Sequence, residues 1–201
     1  MRWKSMIYLG VAAVLVALAF FGWKLTARSA YESADFTVLE SETPFEIREY
    51  PNLMMATTKM KSESQGDDGS FMRLFRYIRG ANDSEQKVAM TTPVFMETEA
   101  GDAQGRMGFV LPKQVAGQRV PVPSNQDVQI LKRTGGRFAA VRFAGRMNTE
   151  SVAKAEQKLR EWINARELVG DGDAEVAGYD PPWTPGPFRR NEVLIRLKQA
   201  D

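Results

Sequence analysis

Four prolines fall within seven residues near the C-terminus, in Asp180-Pro-Pro-Trp-Thr-Pro-Gly-Pro-Phe188. Proline fixes φ and removes a backbone donor, so this stretch is neither a helix nor a central strand. It is too rigid and aromatic to be a flexible linker. Beyond it, Glu192-Val-Leu-Ile-Arg-Leu197 reads as a strand. Two readings of the proline segment stay open. Trp183 and Phe188 plug the end of a core, or they form a pre-ordered rim for an apolar pocket.

The chain has 201 residues and is 43% hydrophobic, enough for one globular domain with a sizeable core. Cysteine and histidine are both absent. Disulfides, thiolate catalysis, Cys-ligated metal sites and Ser-His-Asp chemistry are therefore excluded. Of the usual protein ligands to a haem iron, methionine and tyrosine remain.

Residues 1–30 carry Arg2, Lys4, Lys24 and Arg28 and no acid, which leaves 23 basic against 25 acidic residues in the rest. That is a poor footprint for nucleic acid. Met6 to Trp23 is uninterrupted by charge. As a helix, eighteen residues rise about 27 Å, close to a hydrocarbon core of about 30 Å. Arg2 and Lys4 precede the run, and Trp3, Tyr8 and Trp23 mark its ends. The best small-residue cleavage site, Ala27-Arg-Ser29, lies well beyond it. Residues 1–30 therefore read as an uncleaved membrane anchor in preference to a cleaved signal. A short N-terminal tail stays inside, which places residues 31–201 outside the cytoplasm, in the periplasm or beyond.

Within residues 31–201, Phe36 to Ser41, Phe45 to Tyr50 and Leu53 to Met60 read as strands. Ser70 to Arg79 reads as a helix, with Ser70 as N-cap and Gly80 at C′. Phe71, Leu74, Phe75 and Ile78 fall on one face of it. Val88 to Thr98 and Met107 to Leu111 read as strands, and Pro112 to Asn125 as an irregular connector. Val128–Arg133 and Phe138–Phe143 flank Gly135-Gly136, a hairpin pattern. Thr149 to Leu168 reads as a second helix, capped by Asn148 or Thr149. Ala174–Tyr179 and Glu192–Lys198 complete the strands. Strand, strand, helix, strand, strand thus occurs twice, in residues 45–111 and 128–198. Short loops imply antiparallel pairing. The expected fold is α+β: a distorted antiparallel β-barrel of two similar ββαββ halves flanked by two helices, after one N-terminal hydrophobic helix.

Carboxylate pairs such as Glu46 with Glu49 and Asp171 with Asp173 lack an apolar context that would tune them for acid–base work. Asp67-Asp68 is not followed by calcium-loop spacing. A more suggestive set is apolar with a basic edge: Met72 and Tyr77 extend the apolar surface of the first helix, and Arg73 and Arg76 stand about a turn apart. The bland alternative is that the methionines fill core and the arginines form a solvated face.

Ser70-Phe-Met-Arg-Leu-Phe-Arg-Tyr-Ile-Arg-Gly80, followed by Lys87-Val-Ala-Met-Thr-Thr-Pro-Val94, resembles the helix and Met-Thr-x-Pro-Val strand of the SOUL haem-binding family. Tyr179-Asp-Pro-Pro-Trp-Thr-Pro185 with Phe188-Arg-Arg-Asn-Glu-Val193 is similar to that family's C-terminal signature, and Tyr31-Glu through Ile47-Arg-Glu-Tyr50 resembles its start. The likeness spans about residues 31–198.

The resemblance implies a two-halved barrel that binds haem or another tetrapyrrole non-covalently, without catalysis. It implies a groove along the first helix. Phe71, Met72, Leu74, Phe75, Tyr77 and Ile78 would be wall residues, Arg73 and Arg76 would meet the propionates, and Trp183 and Phe188 would border the groove. A histidine ligand, proposed for some members, has no counterpart here. Met72 and Tyr77 are the candidates for an axial ligand; otherwise binding is by apolar contact. The expected role is a membrane-anchored carrier, buffer or sensor. An effector-binding barrel for another apolar molecule and a membrane-tethered interaction module are the alternatives.

Overall fold

The computed structural model describes residues 7, 8, 10–14, 16, 31–60, 68–97, 105–181 and 184–198. The chain divides into two compact units, Met1–Ala30 and Tyr31–Asp201. In the first, the described residues are helical and exposed. Among the described residues no helix is long and apolar enough to cross a membrane. Most of the apolar run Met6–Trp23 lies outside them.

The second unit contains eleven described strands and three described α-helices. They are β1 (Glu32–Ser33), β2 (Thr37–Glu42), β3 (Phe45–Tyr50), β4 (Leu53–Lys59), α1 (Ser70–Ile78), β5 (Thr91–Thr92), β6 (Val94–Glu97) and β7 (Arg106–Val110). Then come α2 (Lys113–Ala116), β8 (Val128–Arg133), β9 (Gly136–Ala144), α3 (Thr149–Ala165), β10 (Gly170–Gly178), a 3-10 turn at Gly186–Phe188, and β11 (Arg190–Leu197). The short α2 falls inside the segment expected to be irregular.

Nine strands form one antiparallel sheet in the order β2-β3-β9-β11-β10-β6-β7-β4-β8. Exchanging β3, β4, β6 and β7 with β8, β9, β10 and β11 reproduces this order in reverse, apart from β2. The two ββαββ halves are thus related by an approximate two-fold through the β6–β10 pairing. The expected barrel is not closed, because no ladder joins β2 to β8.

The expected β8–β9 hairpin does not form either. β8 pairs with β4, while β9 pairs with β3 and β11. Gly135 makes a close crossing instead of a hairpin turn. A Cβ there would lie 2.3 Å from the Tyr50 carbonyl oxygen and 2.6 Å from the Pro51 carbonyl carbon. The β3–β4 and β8–β9 connections therefore pass in contact, and the Gly135 amide donates to Asn52 Oδ1 at 3.0 Å. Only Pro51 and Asn52 separate β3 from β4, a span of about 10 Å at most. The sheet must curl to bring these distant strands together.

Alternation along each strand assigns its two faces. On β11, Val193, Ile195 and Leu197 pack with Ala155, Leu159 and Ile163 of α3. Leu194 points the other way, toward Tyr50, Phe95 and Phe138. Leu74, Tyr77 and Ile78 of α1 pack on Ala56, Met96, Met107 and Phe109. Each such leucine stabilises the fold by roughly 1.5–3 kcal/mol. α3 starts with a reciprocal cap: Ser151 N–H donates to Asn148 Oδ1 at 2.8 Å and Asn148 N–H to Ser151 Oγ at 3.0 Å. α1 starts otherwise than expected. Gly69 is its N-cap, with φ +84°, and Ser70 is a buried helical residue whose N–H donates to Asp68 Oδ1.

Candidate functional site

The outer side of α1 follows from its packing. With Leu74, Tyr77 and Ile78 buried against the sheet, Met72 is left 46% exposed, and Phe71 and Phe75 are half-buried between core and solvent. The two phenylalanine rings stack at 6.0 Å, and Phe71 meets Phe109 edge-on at 5.2 Å. Arg79 lies 5.8 Å from the Phe75 ring centre. Half-buried Met90, Val94 and Met147 pack on the same core. Arg76 is exposed and makes no ion pair among the described residues. Aromatic rings, a flexible thioether and a free guanidinium together suit a flat apolar molecule with an acidic edge.

The other expected site residues are placed differently. Leu74 and Ile78 are core residues. Tyr77 is 1% exposed, and its hydroxyl donates to the Pro121 carbonyl at 3.0 Å. Burial, with Asp83 adding to it, pushes that hydroxyl up to about 12. Tyr77 is therefore poorly suited to bind a metal as phenolate. Arg73 turns inward along β4, donating to Thr58 Oγ1 at 3.1 Å and to the Lys59 carbonyl at 2.7 Å. Phe188 is 72% exposed on the 3-10 turn. Trp183 lies outside the described residues.

Sequence reasoning missed a second constellation, on the inner face of the sheet. Glu192 is fully buried, and Arg48 is 1% exposed. Arg48 donates to Glu192 through both terminal nitrogens, at 2.5 and 3.0 Å. Tyr179 Oη donates at 2.8 Å, and Arg190 adds bonds at 2.6 and 2.9 Å. Burial alone would raise the Glu192 carboxyl, but the hydrogen bonds and charge of Arg48, with Arg190, outweigh it and hold the group at about 2. Burial raises the Tyr179 hydroxyl instead, with Glu192 reinforcing it. Beside this cluster, the Arg133 guanidinium lies over Phe138, Phe95 and Tyr50 at 4.3, 4.6 and 5.0 Å and pairs with Glu175. Arg48 covers Phe36 and Arg196 covers Phe138 in the same way. The available signal was parity. Glu46, Arg48 and Tyr50 share one face of β3, so Glu46 meets Arg48 at 2.7 Å while Glu49 is exposed on the other. Glu46 and Glu49 are therefore not a pair.

Residues 31–196 match the family model described as SOUL heme-binding protein. The chain belongs to the SOUL family. Heme-binding protein 1 of Mus musculus is 32% identical over 129 residues, covering 61% of this chain and 67% of the mouse protein. Heme-binding protein 1 of Xenopus tropicalis is 26% identical over 156 residues, 74% of this chain and 81% of the frog protein. Among solved structures, a hydrolase from Listeria innocua superposes with a TM-score of 0.55 at 9% identity, over 80% of this chain and 94% of that one. The EcmrR C-terminal domain superposes with a TM-score of 0.56 at 11% identity, over 78% and 98%. At those identities the structures share the fold alone.

Set against the SOUL family, the donor set of this chain is restricted. It has no histidine, and Tyr77 is committed inside the core. Of the two axial candidates, only Met72 presents its side chain to solvent.

Proposed function

We propose that this SOUL protein binds haem or a related tetrapyrrole on the outer face of α1, by apolar contact, and serves as a carrier, buffer or sensor tethered to a membrane by residues 1–30. The observation that carries the reading is the strip of exposed Met72 and half-buried Phe71 and Phe75 beside Arg76, which makes no ion pair among the described residues. In this reading the rings and thioether take the macrocycle face, Arg76 takes a propionate, and Met72 is the one candidate axial ligand. Leu74 and Ile78 support the strip from beneath, and Arg73 braces it against β4. Binding does not require catalysis. The most buried carboxylate, Glu192, is fully ion-paired. A ligand on the inner face beside Phe95 and Arg133 is disfavoured, because Arg48, Arg133 and Arg196 stack on its rings and the cavity there is about 80 Å³.

The test is to titrate haemin, and separately iron-free protoporphyrin, into the full chain held in mild detergent, following the Soret band. Saturable one-to-one binding of both is the expected result. Binding of haemin alone would replace apolar contact with coordination by Met72. Binding of neither by folded protein would remove the tetrapyrrole reading and leave the strip as a protein contact.

A further inference from the structure

A row of charged residues crosses four adjacent strands at one end of the sheet. Lys59 of β4 is the direct partner of Arg106 of β7. Arg106 is in turn the partner of Glu97 of β6, and Glu97 of Glu175 of β10. The charges are segregated, two cations and then two anions, and like charges directly opposite each other are destabilising. On the acidic side Arg133 pairs with Glu175 at 2.8 Å. On the basic side no ion pair involves Lys59 or Arg106 among the described residues.

These two cations open onto a cavity of about 380 Å³, within the range of small-molecule sites. Arg73 lines it with them, Gln126 and Gln129 contribute amides, and Asp127 is the one acid among the described residues of its lining. Its walls are fixed by hydrogen bonds from Thr58 Oγ1 to the Asp127 carbonyl at 2.8 Å and from Thr57 Oγ1 to the Gln129 carbonyl at 3.3 Å. Arg73 is held in place by Thr58 Oγ1 and the Lys59 carbonyl, with a long ion pair to the Asp68 carboxylate at 4.0 Å. We propose that this cavity binds a small, multiply charged oxyanion through Lys59 and Arg106, with Arg73 fixed behind them. A guanidinium and an ammonium facing one space suit phosphate or carboxylate groups. The bound anion would also relieve the Lys59–Arg106 repulsion. The inference is independent of the tetrapyrrole reading.

The probes are inorganic pyrophosphate and citrate, titrated by calorimetry into the full chain at constant ionic strength. Saturable binding of one equivalent of either supports the site, and the tighter ion names the charged group. Arg106→Gln and Lys59→Gln should each weaken it at least tenfold, while Lys154→Gln on α3 leaves it unchanged. Lys59→Gln should melt no lower than wild type in salt-poor buffer, since it removes a repulsion. Absence of saturable binding, or equal weakening by Lys154→Gln, would overturn the proposal. So would a lower melting temperature for Lys59→Gln, because the lysine would then serve an internal partner.

Discussion

On the α3 side of the domain, an extra strand seals the helix. β2 adds to β3, and its acids reach up to the helix: Trp162 Nε1 donates to Glu42 at 3.1 Å, and Arg166 bonds Glu40 and Glu42 at 2.6 and 2.7 Å. Trp162 also stacks on Phe45 at 5.0 Å. On the α1 side the equivalent of β3 is β8, the last strand of the sheet, and among the described residues no second β2 covers it. There the helix keeps half-buried rings, an exposed methionine and an arginine with no ion pair among the described residues, and the neighbouring sheet edge holds a polar cavity. Within the nine-stranded sheet the two halves thus differ in a single appended strand. One half is closed over by β2, and the other leaves rings and a methionine at the surface.

The largest expected effect lies in the core of the sealed half. Glu192→Gln removes the charge that compensates Arg48 and Arg190 and should cost about 3–5 kcal/mol, the usual cost of breaking a buried pair. Denaturant unfolding would measure it. A loss below 1 kcal/mol would show that water already solvates the pair and that the sealed half is not so dry.

The same group sets an acid limit. Its folded pKa of about 2 lies below the ordinary 4.5. The unfolded chain therefore binds the extra proton between those values. The stabilisation is complete above about 4.5 and is lost as pH falls toward 2, a total on the order of 3 kcal/mol. The gap in unfolding free energy between wild type and Glu192→Gln should close over that window. A gap constant from pH 6 to 2.5 would refute the depressed pKa.

A smaller effect separates the two helices directly. Trp162→Ala deletes the stack on Phe45 and the bond to Glu42, and should cost about 1.5–3 kcal/mol. Met72→Ala, on the outer face of α1, should cost under about 0.5 kcal/mol. Equal costs in the two unfolding curves would mean that α1 is sealed after all.

Much of this was legible beforehand. Periodicity found α1 and α3, because each buries one stripe, and the order of elements revealed the repeat. The Asn148 cap was readable from the residue type and its place. The topology was not. Val128–Arg133 and Gly136–Ala144 look like a hairpin about two glycines, yet what the glycine permits at 135 is a backbone crossing with Tyr50–Asn52, a contact 83 residues distant that no local pattern encodes. Tyr77 lies off the stripe that was read on α1 but is core, because the loop at Pro121 folds over it. Arg48, Arg133 and Glu192 were hidden for a related reason. β3 and β11 bury residues on both faces, so alternation does not mark Arg48 or Glu192 as unusual, and each of the three charged residues has a partner on another strand that no local pattern encodes.

The smallest expected change in stability accompanies the largest change in function. Met72→Ser with Arg76→Glu alters two exposed side chains that support no core contact, so the melting temperature should stay within about 2 °C of wild type. Arg73 is left alone, since its bonds to Thr58 and Lys59 brace α1 against β4 and its loss would mix stability with binding. If the bare half is the tetrapyrrole face, the double variant loses the thioether contact and places a carboxylate against a propionate. Porphyrin affinity should fall at least tenfold, about 1.4 kcal/mol, in a Soret titration. The pair Trp162→Ala and Met72→Ser/Arg76→Glu would then dissociate stability from binding, each in its own half. Unchanged affinity in a folded double variant would place the ligand elsewhere and leave the bareness of α1 without a binding role.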